Sequence, residues 1–250
     1  MTVCWLATAT YEDVAALDRR RAVAVLPLGA TEAHGPHLPL STDVIIVEAM
    51  ARAGAERLSQ RGATVVVLPT MALTPAPFAA AFAGTISVRA ATLVALLEDV
   101  ADGLAAQGFS RIVVVSAHLD PEHLGAVREA VETICADGLR VAFPDLSRKP
   151  WSQRLGEEFQ TGACHAGRFE TSIVLAERPE LVRDIRTELL PNPASLSVAI
   201  RAGQTTFAEA GGPRAYFGWP ADATAAEGRT LIDALGAILE EAALPLLHDD

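Results

Sequence analysis

Apolar residues along the chain fall into two kinds of run. The first is short and unbroken: Ala22-Val-Ala-Val-Leu-Pro-Leu28, Ala63-Thr-Val-Val-Val-Leu-Pro69, Arg111-Ile-Val-Val-Val-Ser116 and Arg140-Val-Ala-Phe-Pro144. Their length, β-branched content and lack of alternation predict strands buried on both faces, as in a parallel sheet covered by helices. The second kind recurs at helical spacing, over residues 11–21, 44–60, 89–107 and 121–137, in the run Ile173-Val-Leu-Ala, and from Pro220 to about Leu247. Gly62 and Gly108 supply stops for two of these helices. Strand and helix alternate, which predicts βαβ units and an α/β fold. Residues 70–88 read as a long loop beside the strand ends, and 179–218 turn irregular and rich in Pro and Gly.

The polar positions carry most information where strands end. Gly29 allows a sharp exit from the first run, and the stretch 30–43, Ala-Thr-Glu-Ala-His-Gly-Pro-His-Leu-Pro-Leu-Ser-Thr-Asp, packs Glu32, His34, His37 and Asp43 into one loop. Pro36 and Pro39 stiffen it, so its acidic and imidazole groups are held in place, as a metal site requires. Glu32 and His34 lie two apart, which in extended backbone points both side chains the same way. Asp43 also has a plainer explanation, because Ser41-Thr42-Asp43 precedes a helical stretch and would cap it.

Past Ser116 the arrangement recurs: Ala117-His118-Leu119-Asp120-Pro121 again places a histidine and a carboxylate two apart. Asp120 before Pro121 is a good helix N-cap too. Capping accounts for either carboxylate alone, but not for matching sets at two strand ends, on the edge where open α/β sheets bind ligands. Mixed imidazole and carboxylate donors suit divalent metal. A third segment, Gly162-Ala-Cys-His165-Ala-Gly-Arg-Phe-Glu170-Thr-Ser172, puts His165 in a loop and Glu170 in the first turn of the next helix. Glu170 there complements the helix dipole, and beside a metal pair it becomes a candidate acid or base. His123 reads as a partly exposed helix residue rather than a ligand, and His248 as part of a solvated tail.

Composition narrows the function. The 250 residues, 50% of them hydrophobic, are expected to form one domain over 1–250 with a sizeable core. A net charge of −11 argues against nucleic acid or an anionic membrane surface as partner and favours a small-molecule or cationic one. The three cysteines, Cys4, Cys135 and Cys164, have no paired spacing, which suits a reducing cytoplasm. The first residues lack signal-peptide features, and no apolar run reaches the length of a membrane span. Lys149 is the only lysine and sits in a polar stretch beside Pro150, so Schiff-base chemistry is discounted.

Leu-Gly-Ala-Thr-Glu-Ala-His-Gly-Pro-His-Leu-Pro-Leu-Ser-Thr-Asp, ending at Asp43, resembles the signature of the creatininase (creatinine amidohydrolase) family. Gly84-Thr85-Ile86-Ser87, the strand leading to His118, His165-Ala-Gly-Arg-Phe-Glu170-Thr-Ser172 and Ala223-Thr224-Ala-Ala-Glu-Gly228 extend the likeness over nearly the whole chain. It implies a three-layer αβα sandwich with a mainly parallel central sheet and a two-metal site, Zn2+ or Mn2+ with Fe2+ compatible. By likeness Glu32, Asp43 and His118 would hold one ion, and His34, Asp43 and Asp120 the other. His165 and Glu170 would handle protons or bind substrate, Asp120 would also stand at the reacting atoms, and the protein would be a homo-oligomer, commonly a hexamer in the family. Phe78 and Ala79 replace a Glu-His pair frequent in relatives, so the pocket wall there is expected to be apolar, and creatinine is not supported as substrate. Trp219, where an acidic residue is common, would place an indole near a pocket or an oligomer contact. The expected activity is hydrolysis of a small C–N amide, lactam or formamide by metal-activated water. The alternatives are a metal-dependent peptidase trimming a modified peptide and a non-catalytic binding protein on the same fold.

Overall fold

A computed structural model describes residues 2–162 and 164–248. Five parallel strands make the central sheet: β1 (Thr2–Trp5), β2 (Ala22–Leu28), β3 (Thr64–Val67), β4 (Arg111–Ser116) and β5 (Arg140–Ala142), in the order β1-β3-β2-β4-β5. The four expected strands are present, β2 and β4 with the expected bounds and β3 and β5 shortened, and β1 is an addition. Only four residues long and at the sheet edge, β1 gives no run that its composition alone would mark as strand.

Every residue of β2 and β4 is buried, as their unbroken apolar sequences require. Successive side chains point to opposite faces of a strand. Val23, Val25, Val113 and Val115 therefore meet α2 (Thr42–Gln60), α6 (Arg168–Glu177) and α8 (Ala225–Leu247), whereas Ala24, Leu26, Ile112 and Val114 meet α3 (Ala90–Ala106) and α4 (Pro121–Ala136). These are the three layers of an αβα sandwich. Short helices α1 (Tyr11–Ala15), α5 (Gly156–Thr161) and α7 (Leu196–Arg201) complete the set, α1 ending well before the Arg21 expected from sequence. Among the described residues no helix is long and apolar enough to cross a membrane.

The strand order decides where a site can form. From β2 the chain passes through α2 to β3 on one side, and from β4 through α4 to β5 on the other. The two connections diverge over opposite faces and leave a crevice at the carboxyl ends of β2 and β4, the topological switch point at which open α/β sheets bind ligands. Leu28 is registered against Ser116, so the loops leaving those residues are neighbours. Gly29 begins the first of them, and a Cβ there would come within 2.8 Å of the Val44 backbone nitrogen. Its lack of a side chain lets the loop pass against the start of α2.

Candidate metal centre

The two loops and the start of α6 bring Glu32, His34, Asp43, His118, His165 and Glu170 into one buried cluster, each less than a tenth exposed. The β2 loop folds back on itself: the Glu32 N–H donates to the Leu40 carbonyl at 3.1 Å, Gly35 turns with φ +63°, and the Ala33 N–H reaches Thr85 Oγ1 at 3.1 Å. A positive φ of that size favours glycine. Asp43 enters from the first turn of α2 without capping it by a side-chain bond. His118 arrives from β4. Ala166, with φ +49°, turns the chain between His165 and α6, and its N–H donates to Glu170 Oε2 at 2.6 Å.

Each of three imidazoles has one nitrogen tied to a main-chain carbonyl and the other aimed into the cluster. His118 Nε2 lies 2.8 Å from the Pro75 carbonyl, His34 Nδ1 3.2 Å from that of Glu32, and His165 Nε2 2.9 Å from that of Ala33. A carbonyl only accepts, so these nitrogens carry protons, and the opposite ones offer lone pairs whenever the ring is neutral. His118 Nδ1 faces Glu32 Oε1 at 3.2 Å and Asp43 Oδ2 at 3.1 Å. His34 Nε2 faces Asp43 Oδ1 at 3.2 Å, Glu170 Oε2 at 3.5 Å and Glu32 Oε1 at 3.8 Å. Lone pairs opposite carboxylates repel unless a positive charge stands between them, and outer hydrogen bonds that fix the tautomer are the usual support of metal-binding histidines.

Glu32 Oε2, His34 Nε2 and Asp43 Oδ2 are buried without a hydrogen-bond partner. Orphaned buried polar atoms need an explanation, and a cation supplies one. Donor atoms within 4.8 Å of one another form three groups: Glu32, Asp43 and His118; His34, Asp43 and Glu170; and Glu32, His34 and His165. Asp43 belongs to the first two. The residues present therefore fit divalent metal.

The electrostatics agree. Burial would lower the pKa of His34, but Asp43 and Glu170 outweigh it and raise it to about 10. Burial opposes charge on His118 as well, and Glu32 and Asp43 lift it well above its ordinary value. For Asp43 burial acts upward, yet His34 and His118 hold it far below the normal carboxylate range. Protons on these imidazoles balance the carboxylates in the bare protein, and divalent ions would take their place.

Asp120, the partner of His34 and Asp43 by family likeness, is in none of these donor groups, whereas Glu170 shares one with His34 and Asp43. Asp120 caps α4 through Oδ1, which accepts from the Glu122 N–H at 2.8 Å, while Oδ2 accepts from the Phe78 N–H at 3.3 Å. Its charged neighbours are His118 and Glu32, so it lies on the His118 side of the cluster. The side chain at the start of a helix can reach back over the loop before it, which is how Glu170 joins a donor group. His123, expected to be partly exposed, is fully buried behind His118, with ring centroids 4.9 Å apart and Nε2 2.9 Å from Ser116 Oγ. His37 stands outside the donor groups, bonded through Nε2 to Thr171 Oγ1 at 3.0 Å.

A cavity of about 40 Å³ borders the cluster, with Asp120, Cys164 and an apolar wall of Phe78, Leu119, Leu196, Ile200 and Phe207 around it. Phe78 therefore stands at the pocket. Phe207, in the segment that gave no sequence signal, stacks on His165 with centroids 4.1 Å apart. Trp219 is half-buried against the same aromatic cluster but does not line the cavity, and its backbone N–H donates to Glu158 Oε1 at 2.8 Å. Glu158 gave no signal either. Buried in α5, it also accepts the N–H groups of Arg168 at 2.8 Å and Phe169 at 2.6 Å, and so fixes the start of α6.

Comparison with known proteins gives consistent results. The creatininase family model, described as creatinine amidohydrolase, matches residues 7–243. A Mycobacterium tuberculosis protein named mycofactocin precursor peptide peptidase is 34% identical over 222 residues, covering 84% of this chain and 80% of the relative. The Pseudomonas putida creatinine amidohydrolase is 28% identical over 176 residues, covering 64% of this chain and 66% of the relative. Among solved structures, a creatininase described as its Mn form superposes with a TM-score of 0.71 at 21% identity, covering 99% of this chain and 100% of that one. At that identity the likeness speaks for the fold.

Proposed function

This chain belongs to the creatininase family of amidohydrolases, and from that premise we propose that it is a two-metal peptidase, cleaving a peptide amide beside an apolar side chain. The observation that carries the reading is the set of imidazoles tethered to main-chain carbonyls and aimed at carboxylates with orphaned oxygens. Glu32, Asp43 and His118 would hold one ion and His34, Asp43 and Glu170 the other, with Asp43 shared. Manganese and zinc both accept such mixed donors. Divalent ions there supply Lewis acidity toward an amide carbonyl and acidify water.

The chain's own residues do the rest. Burial, and then His34, lower the pKa of His165 to about 4, so its imidazole is neutral near pH 7 with the Nδ1 lone pair free. Nδ1 takes a proton from the attacking water and returns it to the departing nitrogen, as the new C–O bond forms and the C–N bond breaks. Phe207 holds the ring in that orientation. Asp120 acts at the cavity wall, anchoring the Phe78 backbone and the start of α4. The apolar wall excludes water and receives a hydrocarbon side chain next to the scissile bond.

The sequence favoured a small non-peptide amide. The Phe78–Phe207 wall, together with the peptide peptidase name of a 34%-identical relative, moves the preference to a peptide. The restricted space of about 40 Å³ beside the donors favours a small cyclic amide as the second reading. Incubating metal-loaded protein with N-acyl dipeptides bearing Phe, Leu or Val at the scissile bond, and with lactams and aryl formamides, separates them by mass spectrometry of products. Cleavage of the peptides is expected. Cleavage of lactams alone would replace the reading, and no hydrolysis by fully loaded protein would refute it.

A further inference from the structure

A second cleft, of about 490 Å³, adjoins the cavity at the metal centre. Leu119, Cys164, Leu196 and Ile200 line both, so the two spaces adjoin across that apolar sill. Helix α7 forms much of the boundary. Its residues Leu196 and Ile200 are four apart and face the shared sill, while Ser197 and Arg201, also four apart, line only the outer cleft. Residues at that spacing lie on one stripe of a helix, so adjacent stripes of α7 serve adjacent spaces. Lys149 lines the same outer cleft.

The charge of this cleft is opposite to that of the protein. The chain carries −11 overall, and Lys149 is its only lysine, yet the cleft's lining includes two cations and no carboxylate. Most arginines near acidic groups here are paired: Arg57 with Asp233 and Glu240, Arg128 with Asp145, Arg154 with Glu241, Arg168 with Glu227. Neither Lys149 nor Arg201 has an ion pair or a side-chain hydrogen bond among the described residues. Two unpaired cations around one space attract an anion, and low-dielectric walls such as the sill focus that attraction.

We propose that the outer cleft is a substrate subsite in which Lys149 and Arg201 bind a carboxylate that the substrate carries away from its scissile amide. The inference rests on reading the metal centre as the site of amide hydrolysis. An amide lying at the donors with its apolar side chain on the sill would project its continuing chain toward the outer cleft, whose lining includes the two cations. A guanidinium can engage a carboxylate through two hydrogen bonds and the ammonium adds a third, which selects substrates by charge as well as by length.

The test uses metal-loaded protein and three probes: N-acetyl-Phe-Gly with a free carboxyl terminus, the same peptide amidated, and N-acetyl-Phe-Asp-amide, whose only carboxylate is on a side chain. Calorimetric dissociation constants are measured at low and moderate salt. The wild type is expected to bind at least one carboxylate probe about tenfold more tightly than the amidated one, and added salt should narrow the gap, since screening weakens exposed charges. Which carboxylate probe gains tells whether the subsite reads a chain terminus or a side chain. K149Q/R201Q should abolish the preference without changing affinity for the amidated peptide, and K149R/R201K should restore it. Equal binding of all three probes by the wild type, or a preference that survives in K149Q/R201Q, overturns the proposal. Hydrolysis is scored separately: selective binding without cleavage leaves the subsite standing and removes the hydrolase reading alone.

Discussion

Replacing Glu170 by Gln removes a negative charge from the cluster at almost constant shape. The carboxylate is 5% exposed, its Oε2 lies 3.5 Å from His34 Nε2, and it accepts the Ala166 N–H at 2.6 Å. A Gln carbonyl can keep that last bond, so the turn before α6 survives and the loss falls on the charge. Partners one step outside a metal's ligands already alter affinity 10- to 100-fold. A ligand in a group whose other donors are only His34 and Asp43 is worth at least the upper figure, so one ion should weaken by about 100-fold or more, about 2.7 kcal/mol. Asp120→Asn is the control. Its oxygens serve the Glu122 and Phe78 N–H groups, and Asn is nearly as good an N-cap, so the change in metal affinity should stay below about tenfold. Loaded proteins dialysed against a chelator-buffered metal solution and analysed by elemental mass spectrometry would retain two ions per chain in wild type and D120N, and one in E170Q. Two tightly held ions in E170Q, or equal losses in E170Q and D120N, would refute the placement of Glu170 as a ligand.

Three further outcomes follow from the same geometry. His165→Ala should keep both ions and lose turnover by about 10²- to 10⁴-fold, the usual worth of a positioned proton carrier; loss of metal instead would make His165 a ligand. Glu158→Gln keeps one acceptor where the carboxylate receives three N–H groups, so it should cost about 2–4 kcal/mol in denaturant unfolding, hydrogen bonds to charged groups being worth about 1.5–3 kcal/mol each; an unchanged midpoint would show that α6 does not depend on that anchor. In metal-free protein, His34 has a folded pKa raised to about 10, above the ordinary value of 6.5. Its contribution to stability is thus fully present below pH 6.5 and lost as pH rises through about 10, and Glu170, pushed up to about 8 from 4.5 chiefly by burial, acts in the same direction. Thermal melts of the metal-free protein should fall between about pH 6.5 and 10, and His34→Gln should flatten that slope; a slope unchanged in that variant would contradict it.

What the sequence disclosed, and what it hid, follows from the range of the interactions involved. β2, β3 and β4 declared themselves because burial on both faces demands unbroken apolar residues, and α2, α3 and α4 because a single apolar stripe repeats along them. β1 stayed hidden, since an edge strand of four residues owes its form to hydrogen bonds with β3 rather than to its own pattern. Glu32, His34, Asp43 and His118 were legible as donors because strand ends bring short motifs to one edge. Which carboxylate stands beside His34 was not legible, because Asp120 and Glu170 both sit at helix starts, where a cap and a ligand look alike in sequence. Only the turn through Ala166 puts Glu170 there, and no local pattern encodes its distance from His34. Phe207 and Glu158 were invisible for a related reason: one acts by stacking across the fold on His165 and the other by reaching three backbone N–H groups in two distant segments.

If two cations share Asp43 in this crevice, anomalous diffraction from crystals of the manganese- or zinc-loaded protein will locate both. Two anomalous peaks about 3.5–4 Å apart are expected, the spacing of two-metal sites. One peak should be bounded by Glu32, Asp43 and His118, and the other by His34, Asp43 and Glu170. A single peak, or two peaks not bridged by Asp43, would contradict it.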